Sequence, residues 1–157
     1  MYDQTLLMLA NEVRGKTLRL LGDVDETRAR YTGPGGLKNS ILWHAGHALV
    51  VVEKLSVFPL VERDPAFPPG YIEAFAPRGD PSTVTSWPSL AEVTALLQDQ
   101  LGRLTDAIRI TKMERMDQVI DAERNRTLRY SVLHGLHDEA GHQGEIYLLK
   151  KLAARAV

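Results

Sequence analysis

Seven of the chain's eight prolines lie between Pro59 and Pro88 (Pro59, Pro65, Pro68, Pro69, Pro77, Pro81 and Pro88). Proline lacks the backbone N–H and fixes φ, so neither a continuous helix nor a central strand tolerates that density. The stretch therefore divides the chain into two parts joined by a long connection. Phe67, Tyr71, Phe75 and Trp87 are interspersed with the prolines. Those aromatics predict an ordered loop packed over its neighbours, with room for one short helical turn. Loops of this length in compact domains are uncommon and are often functional.

On both sides of the loop, apolar residues recur at helical spacing. Leu6, Leu9, Val13 and Leu20 predict a helix over roughly residues 3–22, with Gly22 as its stop. Thr32-Gly-Pro-Gly-Gly36 breaks the chain, and a second helix is expected from about Asn39 to Val57. Its seam is Ile41, Ala45, Ala48, Val52 and Leu55. After the loop, Ser89 and Glu92 have the spacing of a capping box. Leu90, Val93, Leu97, Leu101, Leu104 and Ile108 then continue one face. Residues 111–126 are highly charged and fit either a short connection or a hairpin. A fourth helix is expected from near Thr127 to Ala154, with Val132, Leu136, Ala140, Leu148 and Leu152 as its apolar face. Four helices with little strand signal predict an all-α fold, a four-helix bundle filling residues 1–157 as one domain. The long loop between helices 2 and 3 would let those two run parallel, in an up-down-down-up order.

Composition narrows the function classes. Twenty acidic residues against 19 basic ones leave no electrostatic footprint for nucleic acid or an anionic membrane. The chain has no cysteine, which excludes disulfides, thiolate metal sites and a cysteine nucleophile, and suits a cytoplasmic location. No apolar run is expected to span a bilayer, and Met-Tyr-Asp-Gln at the start does not resemble a secretory signal.

All five histidines fall in two segments, His44 and His47 in the second helix and His134, His137 and His142 in the fourth. His134, Asp138, His142 and Glu145 follow at steps of four, four and three, which stacks them on one helix face. Polar groups on inner faces are costly unless something binds them. Asp138 and His142, about one turn apart, can offer two ligands to one divalent ion, with His47 the natural third. Two imidazoles and a carboxylate suit zinc, nickel, iron or manganese better than calcium, and leave water in the open position. His134 lies about 12 Å from His142 along the axis at roughly 1.5 Å per residue, so it reads as a pocket group. Glu145 is placed to hydrogen-bond a ligand or orient water. His137 points away from the stripe, and His44 fits either the pocket or a bond to a nearby backbone group.

Other chemistries lack their residues. Glu139-x-x-His142 is half of a di-iron carboxylate arrangement, and no second Glu-x-x-His exists. There is neither a phosphate-binding glycine loop after a strand nor a nucleophile elbow. The competing reading is a metal-free bundle that binds a small molecule or a partner, using His44, His47, His134 and Asp138 through hydrogen bonds.

Two short motifs resemble a known family. Trp43-His-Ala-Gly46-His47 is similar to the helix-two motif of the DinB/YfiT-like superfamily, and His142-Gln-Gly144-Glu145-Ile146 is similar to its helix-four signature. The resemblance implies a cytoplasmic four-helix bundle, commonly a homodimer, holding a divalent metal with three histidines. It makes His47 and His142 ligands and puts Asp138 where the family has its third histidine. That leaves either a His-His-Asp site or a fold that has lost its metal. Characterised members are thiol-dependent transferases and isomerases, beside many of unknown activity. The implied chemistry is S-transfer from a low-molecular-weight thiol, or hydrolysis, on a small-molecule substrate. His134, His44 and Glu145 would relay protons, and a stress-related role is a further expectation.

Overall fold

Asp3 opens the first helix: its carboxylate accepts the Leu6 N–H at 3.0 Å, satisfying a donor that the helix itself leaves free. The fold is a computed structural model that describes residues 1–65, 67–77 and 79–155. Helix α1 spans Gln4–Leu21, α2 Ile41–Val61, α3 Leu90–Ile110 and α4 Leu128–Ala153. Ser40 caps α2 and Thr127 caps α4 through the same side-chain geometry. Ser89 and Glu92 form the reciprocal capping box on α3.

Helix α2 runs four residues beyond its expected end. Glu53–Val57 widen into a π-turn, and the helix restarts at Phe58–Val61 with Pro59 in its first turn, where a missing N–H costs nothing. Glu62, in the left-handed region at φ 53°, closes it. At 21 residues, with an 18-residue stretch of mean hydropathy 1.3, α2 is long and apolar enough to cross a membrane, which corrects the expectation that no segment reaches that length. Its apolar character has another cause: 78% of that stretch is buried inside the protein against α3 and α4.

Among its described residues the Pro-rich connection holds two short turns rather than one, helical at Tyr71–Ala74 and 3-10 at Pro81–Thr83. Its aromatics do pack inward. Tyr71 and Phe75 are buried among Leu42, Leu49, Leu97 and Ile146, with Phe67 and Trp87 against them. The charged segment before α4 contains the hairpin, with β1 (Val119–Asp121) antiparallel to β2 (Arg126–Thr127).

The buried face of α4 differs from the expected one. Ala140 and Leu148 are exposed, and the inward line is Val132, Leu136, Glu139, Gln143, Ile146, Leu149 and Ala153. Two polar residues thus sit in the core seam because α1 and α3 supply partners. Arg14 donates to Glu139 at 2.8 and 3.0 Å, to Gln100 at 2.8 Å and to the Leu97 carbonyl at 2.7 Å. Thr17 donates to Glu139 at 2.6 Å, and Gln143 donates to the Val13 carbonyl at 2.7 Å. Gln100 continues the network to the Leu49 carbonyl and to Glu53, which Arg103 holds at 2.7 and 3.0 Å. A hydrophobicity pattern cannot place such a network, since each residue in it reads as solvent-facing.

Several bonds tie the helices at matching levels. From α1 to α4 the pairs are Asp3 with Arg129, Arg14 with Glu139, and the Leu20 carbonyl with Lys150. From α2 to α4 they are Leu55 with Ser131 and Ser56 with Val132 at one end, and His44 with His142 at the other. Gly135 makes the α2–α4 approach possible, because a Cβ there would overlap the Ser56 hydroxyl.

Candidate metal centre

The Trp43–His47 segment positions its imidazoles by three separate contacts. The Trp43 indole stacks on His47 with ring centres 4.6 Å apart and planes 10° from parallel. Gly46 leaves the space that the fully buried Phe75 ring fills; a Cβ at that position would overlap the ring. Seated there, Phe75 presents its backbone carbonyl to His47, whose Nδ1–H donates to it at 2.6 Å. A carbonyl can only accept, so this bond sets the tautomer and leaves His47 Nε2 with its lone pair free. That nitrogen faces α4, 3.8 Å from Asp138 Oδ2.

On α4, His142 lies one turn after Asp138, with Nε2 3.4 Å from the same Oδ2. His47, Asp138 and His142 thus each offer a ligand atom, all within 4.8 Å of one another. Asp138 Oδ2 is buried and has no hydrogen-bond partner among the described residues. A buried carboxylate oxygen between two imidazole nitrogens, satisfied by neither, is the arrangement a cation would complete. The donor set, two neutral nitrogens and one anionic oxygen, fits a divalent transition metal.

The other nitrogen of His142 has its own partners. Nδ1 lies 2.6 Å from Glu145 Oε2 and 2.9 Å from His44 Nδ1, while His44 Nδ1 and Glu145 Oε2 are 2.9 Å apart. His44, His142 and Glu145 form a second group able to hold an ion. His44 and His47 are both buried, with 5% of their surface exposed. A cavity of about 120 Å³ reaches His44 and Glu145 from outside. Beyond Lys38 lies a wider one of about 530 Å³, with Arg30, Ser40 and Trp87 on its walls.

Burial dominates the electrostatics of the two α2 histidines. It pushes His44 down to about 4, against the charge of Glu145 and helped by His142 and His47. It lowers His47 too, partly countered by the Phe75 carbonyl and the charge of Asp138. Both are therefore neutral, ligand-competent imidazoles at pH 7. The His142 imidazole, its Nε2 3.4 Å from Oδ2, holds the Asp138 carboxyl below its usual range despite burial. For His142, burial acts downward, but the nearby Asp138 carboxylate and the charge of Glu145 outweigh it and leave the pKa raised.

The remaining stripe residues stay apart from this cluster. His134 is exposed and stacks on Tyr130 with ring centres 5.8 Å apart, and His137 is exposed as well. Glu139, the half-motif of a di-iron site, turns inward to Arg14. Two contributors had no readable signal in the sequence: the Phe75 carbonyl, because any residue carries one, and the pairing of His44 with Glu145 across two helices.

The chain resembles a solved structure in fold. The crystal structure described as the conserved protein of locus from Enterococcus faecalis superposes with a TM-score of 0.74 over 97% of both chains, at 16% identity. No curated protein matches the chain. The family model of the DinB superfamily matches residues 9–146.

Proposed function

The chain belongs to the DinB superfamily, and on that footing we propose that it is a divalent-metal-dependent enzyme acting on a small molecule, with His47, Asp138 and His142 as ligands. The observation that carries this reading is the unpartnered buried Asp138 Oδ2 between two imidazole Nε2 atoms. Bound there, zinc or nickel, or alternatively iron or manganese, would supply Lewis acidity that lowers the pKa of a thiol or of water. The reaction is then S-transfer from a low-molecular-weight thiol, or hydrolysis.

The chain's own residues have distinct tasks in this scheme. Phe75 and Trp43 hold the His47 ring so that Nε2 stays aimed at the site. Glu145 accepts the His142 Nδ1 proton, which orients that ring and raises its basicity as a ligand. His44, neutral and next to the small cavity, is placed to take a proton from an entering substrate and pass it to Glu145. His134 would serve only a substrate that extends along the outside of α4. Arg30, Lys38 and Asp80 line the wider cavity, which favours a polar substrate.

We place this site on a four-helix bundle in up-down-down-up order. The paired levels of α1 with α4, and the reversed levels of α2 with α4, support that order. A cytoplasmic homodimer that binds neither nucleic acid nor membrane, with a stress-related role, completes the proposal.

Metal analysis of the purified protein, beside His142→Ala, tests the reading. The wild type should retain about one equivalent of ion and the variant none. A wild type that holds no ion after reconstitution with zinc, nickel and manganese removes the catalytic reading. The polar pocket would then act by hydrogen bonds alone, an alternative favoured by the mutual bonding of His44, His142 and Glu145.

A further inference from the structure

We propose a second cation site, formed by His44 Nδ1, His142 Nδ1 and Glu145 Oε2, so that the His142 ring bridges two ions. The three donor atoms make a triangle with edges of 2.6, 2.9 and 2.9 Å. An octahedral ion with bonds of about 2.1 Å sets its neighbouring ligands about 3.0 Å apart, so two edges fit one face of such an ion and the His142–Glu145 edge would open by about 0.4 Å. The first group differs. Its contacts of 3.4 and 3.8 Å from Asp138 are closer to the edge of about 3.3 Å that a tetrahedral zinc site requires.

Two histidines and one carboxylate on a single octahedral face are the donor set of iron(II) and manganese(II) sites. Such a face leaves three positions open. The cavity of about 120 Å³ against His44 and Glu145, walled by Lys38, Asn39, Leu148 and Leu149, has room for three waters at roughly 30 Å³ each. Glu145 is half exposed and His44 is buried, so the ion would enter from the Glu145 side and finish on a preformed nitrogen.

The proton balance is explicit. With one ion on Nε2, His142 keeps its Nδ1 proton and donates it to Glu145. A second ion on Nδ1 displaces that proton to solvent, so the ring binds as imidazolate and one proton is released per second ion. The inference goes beyond the proposed function, and because Glu145 and His44 are not ligands of the first ion, the two can fail separately.

Manganese(II) tests it, since the free aqueous ion gives an electron paramagnetic resonance signal that disappears on binding. Protein carrying one equivalent of zinc should take up one manganese per chain, with about one proton released, read from the buffer dependence of the binding heat. Glu145→Gln, at a half-exposed position, should fold normally and, once reloaded with one equivalent of zinc, bind manganese at least tenfold more weakly than the zinc-loaded wild type. Undiminished free-ion signal with the wild type, or equal uptake by Glu145→Gln, overturns the second site. If the wild type loses zinc yet takes up manganese in a Glu145-dependent way, the second site stands and the His47–Asp138–His142 reading falls.

Discussion

The backbone carbonyl of Phe75 holds the His47 imidazole: Nδ1 donates to it at 2.6 Å, and Nε2 is left turned to Asp138. A residue in the proline-rich loop thus sets the tautomer of a candidate ligand in α2. The link depends on Gly46, which makes room for the Phe75 ring.

Gly46→Ala should therefore act on both stability and the site. The added methyl group displaces a fully buried ring, and overpacking of this kind typically costs about 1–3 kcal/mol. Thermal unfolding should show the loss, and metal affinity should fall with it, because the carbonyl moves with its ring. Unchanged affinity in a destabilised variant would mean that His47 is held by Trp43 alone.

Asp138→Asn should abolish ion retention at the His47 side and leave folding nearly intact, since the Oδ2 atom has no protein partner to lose. In the metal-free protein the His142 pKa should fall, because the charge of the nearby Asp138 helps to raise it. A proton NMR titration of the ring resonances measures that shift. A His142 pKa that does not move would mean that Glu145 alone sets it.

Arg14→Met should destabilise by roughly 3–5 kcal/mol, because Glu139 would be left in the core without its main partner. Adding Glu139→Leu should recover much of that loss, since an apolar pair of similar volume avoids the buried charge. Urea unfolding of the single and double variants measures both effects.

Acid should weaken the metal-free protein between pH 6.5 and 4. The unfolded chain takes up a proton on His44 near 6.5, and the folded chain only near 4, so the stability present above pH 6.5 is lost as the pH falls through that window. The ceiling is about 3 kcal/mol from this group. His142, with a raised pKa, acts in the opposite direction: its contribution is present at low pH and lost as the pH rises through its folded value. His44→Gln should flatten the acid limb in urea titrations at pH 7 and pH 5. An unaltered slope would assign the loss to other groups.

Much of the helical layout was legible because it is local. Ser89 with Glu92, and the three- and four-residue spacing of Leu90 to Ile108, act within one turn of their own backbone. The inward face of α4 was not legible. Ala140 and Leu148 were expected on the apolar face and are exposed, whereas Glu139 is buried, because Arg14 and Thr17 come from a helix more than 120 residues away. The extension of α2 through Pro59 was hidden for a related reason, since the π-turn that accommodates it packs against Ser131 and Val132 of α4.

The sequence by itself determined that the fold would be helical, that a proline-rich segment would interrupt it, and that Asp138 and His142 had the spacing of two ligands on one helix. Those properties follow from backbone geometry over a few residues. Only the tertiary structure decided which His142 nitrogen meets which partner, that a loop carbonyl orients His47, and that His44 and Glu145 meet across two helices. Such relationships depend on how two helices are rotated and spaced against each other. That is set by the whole core, including Gly46 beneath Phe75 and Gly135 against Ser56, and no local pattern carries it.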